Sequence, residues 1–298
     1  MQKEILITSH VAADKAGYEF LCKLYNELYD VEREDIIVDF KLCRRFDANL
    51  SAALGAFFDK RKKEGCSIYL GAPQSPGVKR ALSRNKFFKA FDLKTTYEDR
   101  ENYIDFRRFK VENIKEFKTY IDTDLIQKER FPSCTEKAKD KIKESICEIF
   151  ANAVDHSNCD YFYCCGEVHP RKEKTMLDMT FVNLGVPVVD NVNNFLTEKG
   201  LPILSPCETL NWAFVRGNTT KNIPGGLGLD ILKEFIGMND GTIQMISGGA
   251  MLEIDKDNNV ATELDLQFPG TIVTVEFNCD DDKLYLTTDE IPDTNNLF

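Results

Sequence analysis

Glu148-Ile-Phe-Ala-Asn152-Ala-Val-Asp-His156 is the stretch whose reading decides the fold of this chain. At 3.6 residues per turn, Glu144, Glu148, Asn152 and His156 fall on one polar stripe of a helix. Ile142, Ile146, Ile149, Phe150, Ala153 and Val154 form the apolar face that anchors it. A carboxylate one turn from a carboxamide suits magnesium phosphate chemistry, although an amphipathic helix with an ordinary wet face carries the same pattern. About seventy residues on, Arg216-Gly217-Asn-Thr219-Thr220-Lys221 leads into Gly225-Gly226-Leu-Gly228-Leu229 and the helical run Asp230–Ile236. Backbone N–H groups at a glycine-rich helix start make an anion site, to which two threonine hydroxyls and a lysine add. The two segments read as the halves of a pocket for a phosphorylated ligand.

Outward from this pair, Pro132 marks a boundary, and Ser133-Cys-Thr-Glu136 has the capping-box pattern for the start of the long helix. Past it the pattern predicts strands at 161–165, 176–183, 242–247, 263–267 and 271–277, a loop-rich stretch over 185–226 and a helix from about Leu227. Residues 1–92 alternate instead. Strand-like runs 4–8, 35–40 and 66–70 are separated by helix-like runs 18–28, 50–63 and 78–85, with Asp47 or Asn49 placed to cap the second helix. Residues 93–131 are charged and hold one helix, 113–128, without a strong β pattern, so they read as a helical connector. The acidic tail, residues 280–298, is expected to fray.

The 298 residues, 43% hydrophobic and 29% charged, fit a globular chain of two domains. No run of eighteen apolar residues is present, and Met1-Gln-Lys-Glu-Ile5 enters a strand without a signal-peptide core, so a cytoplasmic location is expected. Ten cysteines at irregular spacing, with no Cys-x-x-Cys pair, predict reduced core thiols. Cys159, Cys164, Cys165 and His169 cluster in sequence, but adjacent cysteines on a strand point to opposite faces, which argues against zinc there. A net charge of −11 argues against general nucleic-acid affinity. It is uneven: Lys and Arg outnumber Asp and Glu by 16 to 13 in residues 1–92. The basic runs 60–63 and 79–89 read as solvated helix ends.

With these motifs in order, residues 130–278 resemble the GHKL superfamily of ATP-binding domains. The resemblance implies that the segment Glu148 to His156 is an N box, in which Asn152 ligates magnesium and Glu148 orients or deprotonates the attacking group. It places Asn183-Leu-Gly185-Val-Pro187 at the first glycine box, makes residues 217–226 an ATP lid carrying Gly217, Thr219, Thr220 and Lys221, and puts Gly226, Gly228 and Leu229 in the second glycine box. Thr271, in the Gly-Thr pair, falls where relatives hold the adenine end. Two departures touch base recognition. Asn183 replaces an aspartate and so loses a charge, and Pro187 replaces a glycine and so fixes φ and lacks a donor.

Residues 1–92 resemble a STAS-like domain, the sulfate-transporter and anti-sigma-antagonist fold. The phosphorylatable turn of that family here reads Phe46-Asp-Ala48-Asn49-Leu-Ser51, in which Ala48 and Asn49 cannot be phosphorylated and Ser51 falls in the first helical turn. The expected class is therefore α/β: a STAS-like βα domain, then a GHKL-type α/β sandwich with a mixed sheet covered by helices. The implied cofactors are ATP and Mg2+. Three functions follow: an ATP-driven switch with slow hydrolysis acting on a protein partner, an anti-sigma-type serine/threonine kinase acting on a separate protein, or a scaffold with a degraded pocket. His10, His156 and His169 are the only histidines and none sits on a separate dimerisation helix, which argues against a two-component autokinase. Relatives often dimerise, so a homodimer stays open.

Overall fold

The computed structural model describes residues 2–93, 101–171, 173–220 and 228–290. In the first run, β1 (Gln2–Leu6), β3 (Asp35–Asp39) and β5 (Ser67–Leu70) make a parallel sheet in the order β1-β3-β5. A short parallel pair, β2 (His10–Val11) and β4 (Arg45–Phe46), lies apart from it. The helices of this unit are α1 (Lys15–Leu28), α2 (Ser51–Lys63), α3 (Pro76–Arg84) and α4 (Phe87–Ala90).

Two local readings change here. Neither Asp47 nor Asn49 caps α2, because the helix is entered through a tight turn, Ala48–Leu50, with no side-chain cap. Asp47 instead accepts the Ala13 N–H at 3.0 Å, and Asn49 is fully buried. Within the basic run 60–63, Arg61 is not solvated. Its guanidinium donates to the carbonyls of Leu28, Tyr29 and Val31, closing the end of α1, where cations are favoured.

The second half comprises β6 (Tyr103–Lys110), α5 (Ile114–Tyr120) with a π turn (Ile121–Ile126), α6 (Glu136–His156), β7 (Tyr161–Arg171), β8 (Lys174–Leu184), α7 (Val188–Glu198), α8 (Pro206–Ala213), α9 (Gly228–Met238), β9 (Thr242–Ile254) and β10 (Asn259–Asn278). Its five strands run β6-β7-β8-β10-β9, and every neighbouring pair is antiparallel. The sheet of the second half, expected to be mixed, is thus antiparallel throughout, and among the described residues the parallel strand pairs belong to the two N-terminal sheets, with one isolated parallel bridge between Cys134 and Tyr285. Hairpins explain this: β9 returns into β10 through a turn in which Asp255 Oδ1 accepts the N–H groups of Asp257 and Asn258, and a hairpin can only pair antiparallel.

β6 lies in what the sequence presents as a connector. A register shift between Ile104 and Arg107 turns the alternation over: Ile104 and Phe109 enter one core and Phe106 the other. The 185–226 stretch holds α7 and α8, the second opened by a capping box between Ser205 and Glu208. Thr135, not Ser133, caps α6 by accepting the Ala138 N–H, because Ser133 instead offers its carbonyl to Tyr285. Residues 280–290 do not fray. Tyr285 is buried, its OH donates to Met238 O, and Glu290 accepts from Thr135 Oγ1 at 2.8 Å, which ties the tail to α9 and α6.

The five-stranded sheet is covered on both faces, which is why its strands read as continuous apolar runs. Phe162 and Cys164 of β7 enter a core with α5, α6 and α9, while Tyr163 and Cys165 enter a core with α1 and α2. The opposite-face reading of the two cysteines therefore holds. The first core is aromatic at its centre, with Phe117 and Phe150 stacked at 4.6 Å between ring centroids. The second closes on a polar network: Tyr18 OH donates to Gln244 at 2.7 Å, Asn49 Nδ2 donates to Thr180 at 2.9 Å, and Thr180 meets Thr274 at 2.9 Å. Ser51 is fully buried in this junction, with its Oγ accepting from Asn85.

Candidate functional site

Sheet alternation decides which residues face the first core. Positions 177, 179 and 181 of β8 point into it, so Asn183 does too. Thr271 of β10 is its cross-strand partner in the register. Above that rung α6 presents Glu148, Asn152 and His156, one turn apart each. Between helix and sheet is a cavity of about 260 Å³, lined on its polar side by Glu148, Asn152, Asn183, Thr219, Thr220 and Thr271. Phe162, Phe181, Val186, Val192, Leu229 and Met245 supply much of the apolar lining. Residues from α6, β8, β10, the segment after α8 and the start of α9 thus converge on one space.

The individual placements differ in kind. Glu148 is half-buried, and its Oε2 accepts the Gly228 N–H at 2.8 Å. An added Cβ at Gly228 would lie 2.1 Å from that same oxygen, so this glycine admits the carboxylate against the helix backbone. Gly185 does not line the cavity. A Cβ there would lie 2.0 Å from the Ser157 carbonyl oxygen, so Gly185 serves the close packing of the β8–α7 turn on the end of α6, and Val186 N–H donates to that carbonyl at 2.7 Å. Gly217 also stays outside the lining and makes a turn at φ +84°. Pro187 is the residue preceding the first turn of α7, where its fixed φ costs nothing, and the next N–H, from Val188, goes to Ser247 Oγ at 2.8 Å. Ser247 also meets Thr271 Oγ1 at 3.0 Å, which fixes that hydroxyl at the sheet end of the cavity. Lys221 and Gly226 lie outside the described residues.

Two members of the helix pattern fall away. Glu144 pairs with Lys141 at the surface and does not line the cavity, and Val154 is exposed rather than part of the anchoring face. Other lining residues had no motif to reveal them. Trp212 and Asn191 arrive on α8 and α7, and Asn218 is held by its Nδ2 donating to Trp212 O at 2.9 Å. The Ser205-Pro-Cys-Glu208 cap is the sequence signal that could have placed Trp212 on a helix. One group in the cavity wall is unsatisfied: Asn183 is buried, and its Nδ2 has no hydrogen-bond partner among the described residues. A buried amide donor without a partner costs about 1–3 kcal/mol, which a ligand acceptor would recover.

The other face of the same sheet carries a second polar cluster. His169 lies on β7, half-buried, with Nε2 2.9 Å from Asp178 Oδ2. Burial pushes the Glu167 carboxyl up to about 8, with Asp47 and Asp178 adding to the effect. Burial likewise raises Glu276 to about 7, with Asp178 adding and Arg171 opposing.

No protein-family model matches this chain, and no curated protein matches it.

Proposed function

We propose that the cavity between α6 and the sheet binds magnesium ATP, and that the chain is a GHKL-type nucleotide-dependent regulator with a STAS-like N-terminal unit. The observation that carries the reading is the convergence of Glu148, Asn152, Asn183, Thr219, Thr220 and Thr271, from four separate segments of the chain, on one cavity. At about 260 Å³ its volume is just below the roughly 300–1,000 Å³ usual for small-molecule sites, a size suited to a base and sugar with the phosphates running outward. The apolar walls suit a flat heterocycle. Asn183 fits the base end, because its unpartnered Nδ2 can donate to a ring nitrogen and its carboxamide can rotate to accept from an exocyclic amine.

Asn152, with its amide oxygen on a rigid helix, is the residue that would hold Mg2+, and that ion would neutralise phosphate charge when bound. Thr219 and Thr220 offer hydroxyls to phosphate oxygens. Glu148 aligns and deprotonates an attacking water or hydroxyl once it leaves the Gly228 N–H. Ser51, buried and hydrogen-bonded within the junction, is a poor acceptor for intramolecular phosphotransfer, so a phosphoryl target would be a separate protein.

The test is purified chain with magnesium ATP, comparing wild type, Asn152→Ala and Glu148→Ala for binding and for phosphate release separately. Asn152→Ala should weaken magnesium-dependent binding, and Glu148→Ala should bind without turnover. Failure of ATP to raise the melting temperature of wild type would leave a scaffold, since ligand at a hundred times Kd stabilises by about 2.7 kcal/mol.

A further inference from the structure

The register of the five-stranded sheet places three carboxylates in one row. Glu167 of β7 is opposite Asp178 of β8, and Asp178 is opposite Glu276 of β10, all three on the face turned toward the N-terminal unit and all three buried. Like charges directly opposite on neighbouring strands destabilise a sheet, and burial sharpens the cost. Glu167 is answered locally, since its Oε1 accepts the Ala48 N–H at 2.5 Å. Glu276 Oε1 is taken by Arg171. Asp178 is not fully answered. It is 3% exposed, its Oδ2 meets His169, and its Oδ1 has no partner among the described residues.

His169, Arg171, Asp178 and Glu276 line a polar cavity of about 350 Å³ between the sheet and the N-terminal unit, which contributes Asp14, Arg45 and Asp47 to its wall. His169 Nε2 and one carboxylate oxygen each of Asp178 and Glu276 lie within 4.8 Å of one another. His169 Nε2 is 4.0 Å from Glu276 Oε2, the oxygen that Arg171 leaves free. His169 Nδ1, at 3.4 Å from Pro170 O, is directed away from the cluster, as the second nitrogen of a ligating imidazole usually is.

We propose that His169, Asp178 and Glu276 form a binding site for a divalent transition-metal cation such as zinc, on the sheet face opposite the nucleotide cavity. One imidazole nitrogen and two carboxylate oxygens are a donor set for zinc or manganese rather than for calcium, which takes six to eight oxygens. A protonated His169 answers one oxygen of Asp178 and leaves the other without a donor. A cation held by all three residues answers Asp178 and Glu276 together, the two members of the row next to the site, while Glu167 keeps the Ala48 N–H.

The test uses the full chain stripped with EDTA and titrated with zinc chloride by calorimetry, without nucleotide. One equivalent of zinc should bind and raise the melting temperature. Asp178→Asn and His169→Gln should each weaken binding by at least the roughly 10–100-fold that loss of an outer-shell partner costs. Cobalt substituted for zinc should give a d–d spectrum without a thiolate charge-transfer band, which separates this site from the cysteines. Absence of stoichiometric zinc binding, a thiolate band, or wild-type affinity in His169→Gln would overturn the proposal. His169 is half-buried at a strand end, so its variant carries the test if Asp178→Asn does not fold.

Discussion

Replacing Glu148 with alanine should tighten ATP binding while stopping turnover. Glu148 Oε2 holds the Gly228 N–H at 2.8 Å, so a phosphate oxygen that takes this donor must first displace a charged acceptor. A hydrogen bond to a charged group contributes about 1.5–3 kcal/mol, and about 1.4 kcal/mol is a tenfold change in Kd. Glu148 is only half-buried, which moves the expectation to the lower end, roughly tenfold tighter binding. Glu148→Gln separates charge from shape: its amide oxygen still accepts, so affinity should fall between wild type and Glu148→Ala, again without turnover. Isothermal titration calorimetry at fixed magnesium gives the affinities, and phosphate release under the same conditions gives the turnover. Weaker binding by Glu148→Ala than by wild type, or phosphate release at the wild-type rate, would refute the competition between carboxylate and phosphate.

Asn183→Leu should weaken ATP binding about tenfold while leaving the stability of the free protein unchanged or higher, because the change removes a buried donor with no protein partner. A loss of melting temperature in the free protein would show that Asn183 is structural. Gly185→Ala should cost about 1–3 kcal/mol in urea unfolding with an unchanged m-value, since the obstructing atom, Ser157 O, is backbone and cannot swing aside. Glu167 has a carboxyl raised to about 8 in the fold, above the ordinary value of 4.5. The stability it contributes is therefore complete below about pH 4.5 and is lost as pH rises through about 8, by up to about 1.4 kcal/mol per unit. Denaturation from pH 5 to 8 in EDTA should show that loss in wild type and a flatter profile in Glu167→Gln, and identical slopes would refute it.

Where local chemistry suffices, the sequence is a good guide. The stripe Glu148, Asn152 and His156 follows from helical period alone, and the opposite faces of Cys164 and Cys165 from strand alternation. Both are properties of a single element. The misread positions are those where a second element competes for the same group. Asn49 forgoes capping α2 because Thr180, 131 residues away, accepts from it in the junction. Ser133 forgoes capping α6 because Tyr285 takes its carbonyl. β6 escapes notice because its register shift breaks the period on which strand recognition depends.

The chain's own pattern determined that the protein is α/β and that a βα unit precedes a sheet with a long polar-striped helix. Tertiary structure decided that Gly185 packs the end of α6 rather than lining the cavity, that Trp212 and Asn191 reach it, and that Glu167, Asp178, Glu276 and His169 meet on the far face. The division has one physical cause. Periodicity and capping act within about a turn or two of chain, whereas strand register and layer packing join residues of different elements far apart along the chain, and no local pattern encodes that alignment.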